Sequence, residues 1–288
     1  MGVMTQTTVT AGDIHDGSLV CIRPGDAVPP IYCVHAQSGH LRLYYNLAVH
    51  LEPGRPVYGL RAAGPEESQN SVYTTLEDMA HRYASEILAF QPNGACLIIG
   101  ECDGGELALE VARQLRVRGK DVPLLALIDS FGPGGPRIRP SVPKPAFQIV
   151  DQARKLGFHA RTVTRLPAGE RREYVHVRLI RAMAKARNKM LVRRSGSAEA
   201  LRQKAFREAR RDYKPTRYTD RLVLLRGEMP WGLEPVSHLG WGDVAACLEV
   251  AMLPAYFGTN LLEPHVAVVA EKLVQVIKES QDQMQAAR

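Results

Sequence analysis

The chain has 288 residues, 45% of them hydrophobic, with a formal net charge of +7, enough apolar material for one large domain with an insertion or for two small ones. No apolar run approaches the ~20 residues that cross a bilayer, and the polar stretch Met1–Asp16 lacks the basic-then-apolar order of a signal peptide, so a cytoplasmic protein without a membrane role is expected. Five cysteines (Cys21, Cys33, Cys96, Cys102 and Cys247) are odd in number and show no C-x-x-C spacing, which argues against a disulfide framework and a zinc site. Cys21, Cys33, Cys96 and Cys247 lie in apolar contexts and are expected in the core; only Cys102 lies at a turn.

Taken in chain order, 18–23 and 31–34 read as strands, followed by a loop over 35–40 and a helix over 41–51. A strand is predicted over 57–60. Thr75-Leu76-Glu77-Asp78 resembles a capping box that opens a helix reaching about Phe90. A strand at 97–100, a tight turn, a helix over 105–118 and a strand at 122–128 follow. Strands alternating with helices predict an α/β fold, with a mostly parallel sheet and helices on both faces. The rhythm breaks at Phe131 with a Pro/Gly-rich linker, then basic helical stretches such as 174–192 and 198–213. It resumes with strands at 221–225 and 248–253 and a last helix at 264–277. The expected organisation is a core of residues 1–130 and 218–288, with 131–217 inserted.

Charge follows the same division. Residues 131–217 hold 23 Lys+Arg and 6 Asp+Glu, a net of +17, while the remainder carries −10. A basic segment on an acidic body suits an acidic partner; nucleic acid and a small acidic carrier protein are both candidates, and a merely solvated helical face fits as well.

The most informative residues are Gly100-Glu101-Cys102-Asp103-Gly104-Gly105, between an apolar strand and an amphipathic helix. A G-x-S-x-G turn in that setting is a nucleophile elbow, and here cysteine stands at the serine position. The helix N-terminus would favour a thiolate at Cys102, while Glu101 and Asp103 push the other way. A tight turn holding a packing cysteine fits the same residues.

The chain resembles the thioesterase family of nonribosomal peptide and polyketide pathways over nearly its whole length. The residues that carry the resemblance are 31–35 with 38–40, 56–62, 79–83, the elbow, 124–130, 213–215 with 222–225, and 263–266. It implies an α/β-hydrolase fold whose basic insertion is a helical lid. It further implies acyl chains held on the phosphopantetheine arm of an acyl or peptidyl carrier protein, with no cofactor bound to the chain itself. An acidic carrier docking at the lid would explain the charge split, with no role for nucleic acid. On this resemblance Cys102 is the nucleophile, the backbone N–H groups of Ala36 and Asp103 with neighbouring His35 form the oxyanion loop, and Asp129 is the triad acid.

The third triad member departs from the family pattern. Aligned without gaps, Phe257 falls at the catalytic histidine; a gapped alignment puts Asn260 there. Neither is a base. His265, His238, His35 and His40 remain as histidines of uncertain placement, of which His265 and His238 are carried as candidate bases. An unperturbed thiol is already a few per cent thiolate and can attack without a base, whereas hydrolysis needs a base for water. The expectation is therefore acyl- or aminoacyl-transfer through a Cys102 acyl-enzyme in natural-product biosynthesis. The alternatives are a chain-releasing cyclase (Dieckmann-type, or forming a lactam or lactone) and a catalytically impaired carrier-binding homologue.

Overall fold

Short apolar runs bounded by turns set the architecture. The computed structural model describes residues 17–62, 75–176, 178–180, 183, 198–234 and 236–286. Among the described residues seven strands form one sheet: β1 (Leu19–Arg23), β2 (Ile31–Val34), β3 (Val57–Leu60), β4 (Leu97–Glu101), β5 (Leu124–Ile128), β6 (Tyr218–Glu228) and β7 (Ala245–Tyr256). Their spatial order is β1-β3-β2-β4-β5-β6-β7. Only β1 runs antiparallel to its neighbour; every other pairing is parallel. The helices are α1 (Arg42–His50), α2 (Leu76–Phe90), α3 (Gly105–Val117), α4 (Lys144–Arg165), α5 (residues 168–176), α6 (Ala198–Asp212) and α7 (Val266–Ala286).

The central strands are covered on both faces, which is why they read as unbroken apolar runs. Side chains alternate across the sheet. Ile98, Leu125, Leu127, Leu222 and Leu224 pack in one buried cluster with Ile87 of α2 and Leu107 and Leu115 of α3. Leu97, Ile99, Leu124, Ala126 and Val223 pack in the other with Leu47 of α1 and Leu273 and Val276 of α7. The register Ile98↔Leu125 and Ile99↔Ala126 keeps the two sets apart; a one-residue slip would exchange them.

The α2 cap forms as its sequence predicts, the Thr75 hydroxyl accepting from the Asp78 N–H at 3.1 Å. Two strands and one helix run longer than expected. β6 and β7 extend past their buried centres because they pair with each other from Tyr218↔Ala245 to Glu228↔Tyr256. α7 continues to Ala286 through polar residues that no apolar period marks. Cys33 and Cys96 are buried and Cys21 is partly buried, but Cys247 is exposed, a correction to its expected core position. It sits on β7, the last strand of the sheet, in a stretch where Ala246, Cys247, Glu249 and Val250 are all exposed.

Between β5 and β6 the described residues hold helices α4, α5 and α6, with an isolated bridge from Ile138 to Leu233. Of the predicted helix over 174–192, residues 174–176, 178–180 and 183 are helical; the others, like Met1–Asp16, lie outside the described residues. α4 is tied to the end of β7 through Asp151, which accepts from the Tyr256 hydroxyl at 2.8 Å and from Lys155 at 2.7 Å. α6 packs on α3: the Tyr213 hydroxyl just beyond it donates to Glu110 at 2.9 Å, and Phe206 lies 5.6 Å from the His35 ring. No described helix is long and apolar enough to cross a membrane.

Candidate active site

β4 ends at Glu101, and the chain turns through Cys102–Gly104 directly into α3. Cys102 has φ +49°, a left-handed conformation that costs a side-chain-bearing residue roughly 1–3 kcal/mol and persists only where surroundings impose it. Two glycines impose it. A Cβ on Gly100 would lie 2.6 Å from the Ala108 Cβ, and one on Gly104 would lie 2.5 Å from the His35 carbonyl oxygen. The turn is therefore pressed between α3 and the 35–36 loop, and that contact sets Ala36 beside the elbow.

His35 fixes this loop from below. It is buried, with Nδ1 2.7 Å from the Ala36 carbonyl and Nε2 2.7 Å from the Tyr83 hydroxyl. Burial pushes its pKa down to about 4, so the ring is neutral. A carbonyl only accepts, which makes Nδ1 the protonated nitrogen, while Nε2 and the Arg61 carbonyl at 3.1 Å compete for the one proton of the Tyr83 hydroxyl. His35 is thus held as a scaffold for the loop.

Asp129 follows β5 at φ +47°. Its buried carboxylate accepts from the Gly227 N–H at 2.8 Å, the Gly258 N–H at 2.7 Å and the Asn260 side-chain amide at 2.6 Å. Burial raises its pKa, and these three donors with nearby Arg226 oppose that rise. The residue presented to Asp129 is thus Asn260, the position the gapped alignment selects. Phe257 lies to one side, its ring 4.8 Å from Phe131.

The candidate histidines are held elsewhere. The His265 ring lies tilted against Phe158 of α4 at 4.9 Å, and its Nε2 is buried without a hydrogen bond among the described residues. His238 accepts from the Gly242 N–H at 3.2 Å within its own turn. Neither makes a hydrogen bond to Asp129.

The electrostatics of Cys102 weigh the opposed influences on its thiol. Burial, then the charges of Glu101 and Asp103, push its thiol up to about 12, with Asp129 adding to the rise and the Asp103 N–H opposing it. The rise outweighs the Asp103 N–H, and the resting residue is a thiol. Glu101 is itself pushed up to about 7 by burial and by Asp129 and Asp103. The cation of the cluster comes from the insertion: Arg210 of α6 donates to Asp103 and to Glu106 of α3, each at 2.5 Å. Among the described residues no group of three or more His, Cys, Asp or Glu could hold a metal ion.

Residues 29–145 match the family model of the thioesterase domain. The match carries β2 to β5, the elbow and Asp129. The chain is 38% identical over 102 residues to malpibaldin synthetase of Mortierella alpina, which is 35% of this chain and 2% of that protein. It is 39% identical over 100 residues to microperfuranone synthase of Emericella nidulans, 35% of this chain and 10% of that one. A dimodular nonribosomal peptide synthase of Bacillus subtilis is 33% identical over 113 residues, 39% of this chain and 5% of that protein. The chain thus spans only a small part of the length of these curated relatives. Among solved structures, the four-domain nonribosomal peptide synthetase holo-AB3403 superposes with a TM-score of 0.64 at 23% identity, over 90% of this chain and 20% of that one. The NocB thioesterase domain superposes with a TM-score of 0.56 at 21% identity, over 86% and 93%. At such identities the likeness is one of fold: an α/β-hydrolase-like sheet with flanking helices, as in thioesterase domains.

Proposed function

We propose that the chain processes acyl groups held as thioesters on the phosphopantetheine arms of carrier domains in nonribosomal peptide or polyketide assembly, and that it takes the acyl group onto Cys102. The thioesterase-domain match over the elbow segment supports the class of substrate. The observation that carries the reaction is the Asn260 amide at 2.6 Å from the Asp129 carboxylate, where a base would have to sit. An amide takes no proton from water, so an acyl-Cys102 intermediate outlives hydrolysis and passes to a stronger nucleophile.

The thiol of Cys102 attacks the thioester carbonyl, its proton leaves with the departing pantetheine sulfur, and one thioester replaces another. The N–H groups of Ala36 and Asp103 are the donors placed to stabilise the oxyanion. An amine, a thiol or a stabilised carbanion then takes the acyl group; with an internal carbanion the product is a released ring. The basic insertion, with net +17, serves as the lid and the docking surface for an acidic carrier. A non-reacting carrier-binding protein is the second reading, favoured by the thiol pKa of about 12.

Product analysis with an acyl-loaded carrier tests the reaction. Acyl group on an added amine, on a second carrier or in a released ring supports transfer or cyclisation. Free acid as the main product contradicts it.

A further inference from the structure

At the C-terminal ends of β6 and β7 a cavity of about 630 Å³ opens beneath α4, a volume typical of small-molecule sites. Its walls combine two chemistries. Phe158, Trp231 and Met252 make it apolar, while Arg139, Arg154 and Arg226 bring three cations to a wall whose one carboxylate is Glu228, with the Asp129 carboxylate also near Arg226. Glu228 accounts for one of the three, lying 3.5 Å from Arg154. Arg139 spends its Nε on the Leu233 carbonyl. The Nε of Arg226 is buried and makes no hydrogen bond among the described residues. A buried guanidinium N–H without an acceptor is costly, and an arginine fork fits a carboxylate in two parallel bonds.

The cavity also borders the candidate site. Gly227, which donates to Asp129, lies between Arg226 and Glu228 on the strand end that forms the cavity wall. Phe158 of α4 reaches both the cavity and the His265 ring. A ligand seated here would lie between the insertion and the strand end that orients Asp129.

We infer that this cavity seats the acyl group, or the acceptor, by a carboxylate carried on an apolar or aromatic body, with Arg226 as its principal partner. This rests on the reading of the chain as an acyl-processing protein and adds to it a substrate class, one with an anionic end. It leaves the transferred bond untouched.

Binding is measurable without turnover. The Cys102→Ala protein is titrated with 4-phenylbutyrate, with its uncharged primary amide and with inorganic phosphate, followed by the fluorescence of the chain's two tryptophans. Trp231→Phe identifies the cavity component. The carboxylate is expected to bind at least about tenfold more tightly than the amide. Arg226→Gln is expected to remove that advantage and Arg226→Lys to restore part of it. Arg154→Gln gives a second variant on the cavity wall if Arg226→Gln does not fold; it is expected to weaken the carboxylate and leave the amide unchanged. Equal binding of acid and amide, or indifference to both arginine substitutions, overturns the inference. Displacement of the carboxylate by inorganic phosphate at equal concentration overturns the carboxylate assignment in favour of a phosphate group. Because the titration uses a protein without its thiol, failure here is separate from failure to form an acyl-enzyme.

Discussion

Asn260 donates its side-chain amide to the Asp129 carboxylate at 2.6 Å, and both residues are buried. The carboxylate that the family resemblance casts as the triad acid thus has an amide as its partner. The loop that carries Asn260 is held by the same carboxylate through Gly258 at 2.7 Å, so the arrangement is built into the backbone.

Asn260→His should supply the missing base. An imidazole bonded to Asp129 can accept a proton from water, and a positioned base is worth roughly 10²–10⁴-fold. The lifetime of the acyl-enzyme should shorten by at least about tenfold, with free acid appearing. The check is a time course of adduct mass and product in the variant and the parent.

Glu101→Gln should make Cys102 more reactive. Glu101 is the largest charge acting on the thiol, and with a pKa raised to about 7 it is ionised at pH 8. Removing that charge favours the thiolate. Each unit by which the thiol pKa falls gives about tenfold more thiolate. Iodoacetamide alkylation against pH reads the shift. A slower rate in the variant would mean that Glu101 acts instead as the proton acceptor of Cys102.

Arg210→Ala should destabilise the chain by about 3 kcal/mol, since it strands Glu106, whose side chain is only 4% exposed. It also removes the cation paired with Asp103, so alkylation of Cys102 should slow. Urea denaturation measures the first effect and iodoacetamide the second. Arg210→Lys should recover part of both.

His35 gives a pH signature. Its folded pKa is lowered to about 4 by burial against about 6.5 in the unfolded chain, so the unfolded state binds the proton more readily. The stability tied to its neutral form is fully present above pH 6.5 and is lost as pH falls through 4. The stability difference between the parent and His35→Asn should shrink by about 3 kcal/mol between pH 7 and pH 4. A difference is the right readout because Glu101, with its pKa raised to about 7, pulls the other way over the same range. Unfolding free energies at three pH values check it.

The sheet was legible because its strands are apolar on both faces and their bounding turns carry glycine and proline. α4 was not singled out, since only Asp151 and Thr162 are buried along its 22 residues and no apolar stripe marks it. The elbow was legible from the spacing of Gly100, Cys102 and Gly104, and Asp129 from its place after β5. The partner of Asp129 was legible only to the extent of a choice between Phe257 and Asn260, because loop length sets that register and periodicity does not reach it. The balance of influences on the thiol was not legible. The helix N-terminus is visible in a sequence, but the burial that pushes the thiol up is a tertiary property. Arg210 gave no local signal, since its partners Asp103 and Glu106 lie more than a hundred residues away.

The proposed chemistry turns on Cys102 accepting an acyl group and keeping it from water. The most direct measurement is the intact mass of the chain after incubation with an acyl-loaded carrier, for the parent and for Cys102→Ala. A mass increase equal to the acyl group is expected in the parent, persisting until an amine or thiol acceptor is added, and absent from Cys102→Ala. No adduct with any loaded carrier, or an equal adduct on Cys102→Ala, would contradict it.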